Sequence, residues 1–219
     1  VVLGGNGTWA GKRPQSGDAV GNTVNIEGNS HIIGDNSTMG NFQAIVSGGR
    51  ARYGHSAENN TVNIKSAAQI DKYRIEGATI HEGGSAKGNS VNIMGAIVLG
   101  SGQEIDGAVS VSPNFASTLE ENYVFINSAG AKLQNITGAN ATRDGITIGS
   151  NATASKNYVK LQNGEVQSTT GSYMAAVSND NYSEISGGKV IGDVHGGFGG
   201  GSGTNHVATS TNDYVKISG

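Results

Sequence analysis

The acidic residues of this 219-residue sequence are not spaced for catalysis or metal binding. Five of the eight aspartates occur about once per repeat at shifting positions: Asp35, Asp71, Asp106, Asp144 and Asp193. A Ca²⁺-dependent site that cleaves polysaccharides needs clustered acidic ligands and a basic residue on one face. Neither a Gly-x-Ser-x-Gly motif nor a supported Ser-His-Asp set is present. We therefore predict that the chain is not an enzyme and has no catalytic residues.

The Gly-rich stretch His195–His206 is the second place where chemistry is conceivable. It lacks the Gly-Lys-Ser/Thr ending of a phosphate-binding loop. Its two histidines have no cysteine or carboxylate at ligand spacing, which is a weak metal signal. We interpret the stretch as a flexible loop and predict no metal or cofactor. His31, His55 and His81 are interpreted as surface residues.

Four tyrosines do recur regularly: Tyr123, Tyr158, Tyr182 and Tyr214. Each is the second residue of a five-residue motif, Asn-x-Val-x-Ile. If the motif forms a strand, this position faces outward and the four rings stack in one column. Such a column has two interpretations, structural stacking or a contact surface for sugars or a partner protein.

The motif itself is an internal repeat, which is the first feature to seek in a sequence. Its copies are spaced 24 to 38 residues apart, about 32 on average. They begin at Asn22, Asn60, Asn89, Asn122, Asn157, Asn181 and Asp213. Seven matches at this spacing predict a stack of structural repeats rather than a folded unit with unrelated segments.

Alternation within the motif predicts which side chains form the core. The third and fifth residues, such as Val62 and Ile64, point inward together, and stacked copies bring like residues into contact. The same parity applies to Val215 and Ile217 in the last copy. The leading Asn is expected at a corner, either in a ladder of hydrogen-bonded amides or in a simple Asx turn. In the last three copies the fourth residue is Lys, Glu and Lys, which favours charge pairing between neighbours.

Two further short runs follow each motif, as in 96–98 and 145–149, and a polar loop such as 50–59 or 199–212 then precedes the next copy. Trp9 lies in a similar loop, 7–21. We therefore predict an all-β, single-stranded parallel β-helix of about seven coils with three short strands each. Residues 1–219 form one β-solenoid segment, interpreted as a fragment of a longer chain.

The composition agrees with an all-β repeat fold and argues against several classes of partner and location. Glycine supplies 36 residues, about 16% of the chain and twice the usual share. A net charge of −3 argues against nucleic acid or anionic lipid as a partner. No run approaches 18 apolar residues, so no membrane insertion of this segment is predicted.

The units NTVNIEGNS, NSVNIMGAIVLG and ISGGKVIGDVHGGFG with NDYVKISG resemble the Gly-rich repeats of autotransporter passenger domains from Gram-negative surface adhesins. The resemblance implies a right-handed β-helix, as does the crossover preference of parallel strands. It also implies a location outside the cell on the bacterial surface, and a role in adhesion, autoaggregation or biofilm. The expected partners are host or bacterial surface proteins or glycans, or a second copy of the chain. The alternatives are a self-assembling extracellular filament and a carbohydrate-active β-helix enzyme.

Overall fold

A computed structural model describes residues 2–6, 17–33, 45–66, 68–71, 74–99, 103–111, 115–141, 151–200 and 208–219. Within these ranges the regular secondary structure consists of parallel β-strands and contains no helix. The strands are β1 (Val2–Asn6), β2 (Ala19–Val20), β3 (Thr23–Ile26), β4 (Ser30–Ile33), β5 (Ile45–Arg52), β6 (Ser56–Glu58), β7 (Thr61–Ile64), β8 (Ala68–Asp71), β9 (Arg74–His81), β10 (Gly84–Lys87), β11 (Ser90–Ile93), β12 (Ile97–Val98), β13 (Glu104–Ser110), β14 (Ser117–Glu120), β15 (Tyr123–Asn140), β16 (Ala152–Ser155), β17 (Tyr158–Ala175), β18 (Val177–Asn179), β19 (Tyr182–Ile185), β20 (Lys189–Val190), β21 (Val194–Gly199), β22 (Thr209–Thr211) and β23 (Tyr214–Ile217).

The motif strands pair in parallel and in register, as the repeat predicts. Val62 pairs with Val24 on one side and with Val91 on the other. The series continues through β15, β17 and β19 to β23 without a shift at the motif positions. Each strand pairs with the equivalent strand of the neighbouring repeat, a topology consistent with a β-solenoid.

The predicted number of strands in a repeat was wrong. The first full repeat contains four strands, the motif strand β3 followed by β4, β5 and β6, and β6 falls within 50–59, which was interpreted as a loop. Its equivalents form a separate parallel sheet with the order β2-β6-β10-β14-β16-β18-β22. The loop predicted for 199–212 likewise contains β22. Residues 145–149 and Trp9 lie outside the described ranges.

Two hydrophobic clusters form the interior. The first contains large aliphatic side chains from the motif strands and from strands such as β9, including Val62, Ile64 and Ile75. The second is made mainly of alanines, and it packs the separate sheet against the far ends of β5, β9 and their equivalents. Its members are Ala51, Ala57, Ala78, Ile80, Ala86, Ala108, Leu119, Ala139, Ala141, Ala152, Ala154 and Ala175. Small side chains allow these two layers to approach closely.

The leading asparagines of the motif form a continuous ladder between the two clusters. In six successive steps, Nδ2 of one residue donates to Oδ1 of the next at 2.8–3.0 Å, from Asn22 to Asp213. The same Oδ1 accepts the backbone N–H of the preceding ladder residue at 2.7–3.1 Å. The second hydrogen of Nδ2 reaches backbone carbonyls beside the alanine cluster, at 2.7–3.0 Å, in five of the copies. The ladder interpretation is confirmed, and the ladder satisfies polar groups that burial would otherwise penalise.

Local backbone conformation places each ladder residue. The residue before it has positive φ in all seven copies, whether it is glycine, as at Gly88, or a larger residue, as at Glu121 and Lys156. This left-handed residue turns the chain from the separate sheet into the motif strand. On the other side of the ladder, the backbone of β5 packs directly against the ladder side chains. A Cβ on Gly49 would lie 2.4 Å from the Asn60 side chain.

One predicted inward pair is not buried. Val215 and Ile217 are 41% and 72% exposed. β23 pairs with β19 on one edge, and no described strand pairs with its other edge.

Candidate functional site: a tyrosine column and an outer groove

The four predicted tyrosines stack in a single column. They lie directly after ladder residues and are register partners in β15, β17, β19 and β23. Ring centroids are 4.9, 4.8 and 4.9 Å apart along Tyr123, Tyr158, Tyr182 and Tyr214, with interplanar angles of 9° or less. The spacing equals the separation of hydrogen-bonded strands, so the backbone sets it.

Charged side chains flank the column as the alternation of Lys and Glu predicts. Glu184 lies between Lys160 and Lys216, with N–O distances of 3.2 and 2.8 Å. Hydrogen bonds from Lys216 and then Lys160 lower the pKa of the Glu184 carboxyl. Lys160 Nζ is also 5.4 Å from the centre of the Tyr158 ring, which is within cation–π range.

The two inner phenols of the column, those of Tyr158 and Tyr182, have raised pKa values. Desolvation, followed by the neighbouring tyrosines, raises the pKa of Tyr158 to about 12. Desolvation, Tyr214 and Glu184 raise the pKa of Tyr182 to about 12. The column therefore presents a flat, neutral, half-buried aromatic strip with hydroxyl groups, which suits contact with another molecule as well as internal stacking.

A second feature was not predicted: a groove on the outer face of β13, β15, β17 and β21. Its volume is about 220 Å³. The lining residues are mostly hydroxyl, amide and carboxylate side chains: Glu104, Asn135, Thr137, Asn140, Ser168, Thr170, Tyr173, Asp193 and His195. We call this feature the outer groove. Four neighbouring strands about 4.8 Å apart give it a length of about 14 Å along the stacking direction.

A buried acidic pair lies next to the outer groove in the same register column. Asp106 pairs with Thr137 of the groove on one side and with Glu76 on the other, and both carboxyl groups are fully buried. Asp106 Oδ1 accepts from Asn140 Nδ2 at 3.3 Å, and Glu76 Oε2 accepts from Thr79 Oγ1. Burial first, and then the charges of Glu104 and Glu76, raise the pKa of Asp106 well above its usual value. Asp106 is therefore held as a neutral acid at pH values where an exposed aspartate is ionised.

An aromatic pair adjoins the outer groove, and one of its members, Tyr173, lines it. The Tyr173 and Phe198 rings stack at 5.5 Å with an interplanar angle of 19°. They are register partners and are 39% and 42% exposed. His195 meets Phe198 edge-on at 5.9 Å. The groove thus combines an exposed apolar surface with polar groups that converge on it, a pattern typical of small-ligand sites.

Several interpretations of single residues need correction. His195 belongs to β21 and lines the groove, so it is not an incidental loop residue. Asp106 and Asp193 are not scattered, because Asp193 lines the groove and Asp106 adjoins it. His81 is buried, at 5% exposure, because it lies at the end of β9.

His55 is partly exposed at the surface, as predicted, and its Nδ1 lies 3.3 Å from Asp18 Oδ1. His31 is exposed, as predicted. Three other residues considered in the sequence, Asp35, Asp144 and His206, lie outside the described ranges.

Across the described ranges, no group of three or more His, Asp or Glu side chains is placed to hold a metal ion. Nor does this part of the chain include a helix long and apolar enough to cross a membrane. Comparison with protein-family models, curated proteins and solved structures finds no match to this chain.

Proposed function

We propose that this chain is a rigid, non-enzymatic segment of a bacterial surface adhesin, similar to a Gram-negative autotransporter passenger. In this proposal it is a right-handed β-solenoid of about seven coils, located outside the cell. It holds outward-facing contact surfaces away from the membrane and mediates adhesion or autoaggregation. Its partners are proteins or glycans on a host or bacterial cell, or a second copy of itself.

The observation that supports this function is the unbroken in-register ladder from Asn22 to Asp213. Each internal ladder residue is hydrogen-bonded to the ladder residues before and after it, so no repeat moves without breaking buried hydrogen bonds. A structure of this kind is stiff along its axis. A stiff rod that displays repeated outward side chains suits a role in holding and presenting contacts.

The tyrosine column supplies the first surface to test. Beads coated with the chain would be measured for attachment to epithelial cells, attachment to bacteria, and aggregation with each other. We expect attachment or aggregation for the wild type, and a loss of at least tenfold on replacing Tyr158 and Tyr182 with threonine. Threonine already occupies this position at Thr23 and Thr61, so the strand accepts it.

A matched control is Asn25→Thr with Asn63→Thr, which alters the other outward position of two distant strands. This control should adhere as the wild type does. An absence of any attachment by the wild type, together with hydrolysis of a polysaccharide, would overturn the proposal in favour of an enzyme.

A self-assembling extracellular filament is the second candidate, and the in-register pairing of each repeat with the next favours it, because a second copy can extend the same pairing. Unpaired parallel edges template further strands. Sedimentation velocity at increasing concentration would show growing oligomers, and Ile217→Lys would abolish them. A single species that does not change with concentration contradicts the filament.

A further inference from the structure

We propose that the outer groove binds one ring of an uncharged saccharide. The inference assigns a ligand class to the adhesion proposed above and rests on that function. It concerns a surface separate from the tyrosine column, so the two can fail independently.

Size limits the ligand first. The groove volume of about 220 Å³ is below the roughly 300–1,000 Å³ of sites for drug-sized molecules. One sugar ring matches that volume, and the length of about 14 Å leaves room for neighbouring rings to continue along the stack. A folded protein partner would need a much larger surface.

The charge of the groove lining is the second limit on the class of ligand. The carboxylate of Glu104 is already paired with Arg74 at 3.4 Å, and burial disfavours ionisation of Asp106. Asp193 is exposed in the lining and adds negative charge. An anionic sugar would be repelled, and the pairing of Glu104 leaves little charge to select a cationic peptide.

Hydrogen-bonding capacity supports a ligand rich in hydroxyl groups. Thr137, Thr170 and Ser168 contribute hydroxyls, and Asn135 contributes an amide, on neighbouring strands. Behind the lining, Asp106 Oδ1 accepts from Asn140 Nδ2 at 3.3 Å and so holds one polar residue of the groove in place.

The ring of Tyr173 accounts for the remaining face of the ligand. A pyranose ring has polar edges and an apolar C–H face. Phe198 covers one face of the Tyr173 ring, and the other face lies toward Asn140, which also lines the groove, so the apolar face of a sugar can pack there.

The test uses the whole chain and saturation-transfer NMR against neutral hexoses and their oligomers. A single ring should bind with a Kd of about 1 mM, and oligomers more tightly. Tyr173→Asn should weaken binding at least tenfold. Asparagine is the natural residue at this register position in β15, so the strand accommodates it.

Tyr53→Asn is the matched control, since it removes a tyrosine of similar exposure outside the groove, at a positive φ that asparagine tolerates, and should leave binding unchanged. Circular dichroism would verify the fold of each variant. The proposal is refuted if the wild type binds no neutral saccharide, prefers uronic or sialic acids, binds extended peptides instead, or loses nothing on Tyr173→Asn. Bead adhesion that persists after such a result would leave the adhesin function intact.

Discussion

Replacing Asn122 with leucine tests the ladder at its centre. Asn122 is fully buried, and its Nδ2 donates to Asn157 Oδ1 and to the carbonyl of Ala86, both at 2.9 Å. Its Oδ1 accepts from the backbone N and from Nδ2 of Asn89, at 3.0 and 2.8 Å. Leucine has a similar size, so the substitution removes these four hydrogen bonds without opening a large cavity.

The expected cost follows from the partners left behind. Two N–H groups of Asn89 and the carbonyl of Ala86 each lose an Asn122 partner in an interior closed to water. Each buried unsatisfied group costs about 1–3 kcal/mol. Leucine recovers part of this by burying apolar surface, about 1.5–3 kcal/mol at most. We expect a net loss of about 2–6 kcal/mol, a large share of the 5–15 kcal/mol of a whole domain.

The control is Asn63→Leu on the outer side of a motif strand. Asn63 Nδ2 donates to Asn25 Oδ1 at 2.9 Å, and its Oδ1 accepts from Asn92, also at 2.9 Å. This outer ladder is partly exposed, so water replaces the lost bonds and the cost should stay below about 1 kcal/mol.

Equilibrium urea unfolding followed by far-UV circular dichroism measures both variants. Stacked repeats sometimes unfold in parts, so hydrogen exchange should accompany it. In Asn122→Leu, the backbone amides of Asn89 and its neighbours in β11 and β15 should exchange faster. Equal unfolding free energies for the two leucine variants would show that the buried ladder does not carry the stability assigned to it.

Three further outcomes are expected. Gly107→Ala should destabilise the fold by more than about 3 kcal/mol, because the new Cβ would lie 2.4 Å from a backbone oxygen. Gly17→Ala should be nearly neutral, because a Cβ there would have no atom within 4 Å. Thermal unfolding of the two variants makes the comparison. The raised pKa values of Tyr158 and Tyr182 keep stability constant below about pH 10 and reduce it as pH rises toward 12, because the unfolded phenols ionise first; unfolding at pH 8 and pH 11.5 should show a smaller loss in the double phenylalanine variant. Because the pKa of Asp106 is raised in the folded chain, its contribution to the unfolding free energy is fully present below about pH 4 and is lost as pH rises. Asp106→Asn should therefore reduce the fall in unfolding free energy between pH 4 and pH 7. An unchanged fall would contradict the assignment of Asp106 as a buried neutral acid.

Much of the motif sheet was predictable because parallel, in-register stacking copies the sequence period into space. Once Val62 is placed over Val24, the inward Val and Ile pairs, the Asn ladder and the tyrosine column all follow from alternation along a strand. Pairing of Lys160 with Glu184 follows in the same way. These are the parts of the fold in which position within the motif determines the neighbour.

The separate sheet was missed because its strands do not read as strands. Segments such as GSAK in β10 and ATAS in β16 are short and rich in small residues, with few β-branched or aromatic side chains. They are strands because an alanine-sized interior and the ladder hydrogen bonds hold them. Neither signal is visible in a hydropathy pattern.

The outer groove was missed for a different reason. Its residues lie after segments whose length varies between repeats, so aligning the chain on Asn-x-Val-x-Ile does not align Glu76, Asp106 and Thr137. Strand pairing restores their common column. An alignment on the glycine that bends these strands, Gly77 and Gly107, would have brought them together.

The seventh rung of the ladder breaks its donor–acceptor alternation. The asparagines from Asn60 to Asn181 each accept and donate, but the Asp213 carboxylate only accepts: Oδ1 from Asn181, and Oδ2 from Ser178 and Ser210 at 2.6 Å each. Two serine hydroxyls therefore donate into the ladder at a rung that has no amide hydrogen of its own. The same stack thus accommodates an aspartate in an asparagine column, because hydroxyls of the neighbouring strands supply the hydrogens that a carboxylate needs.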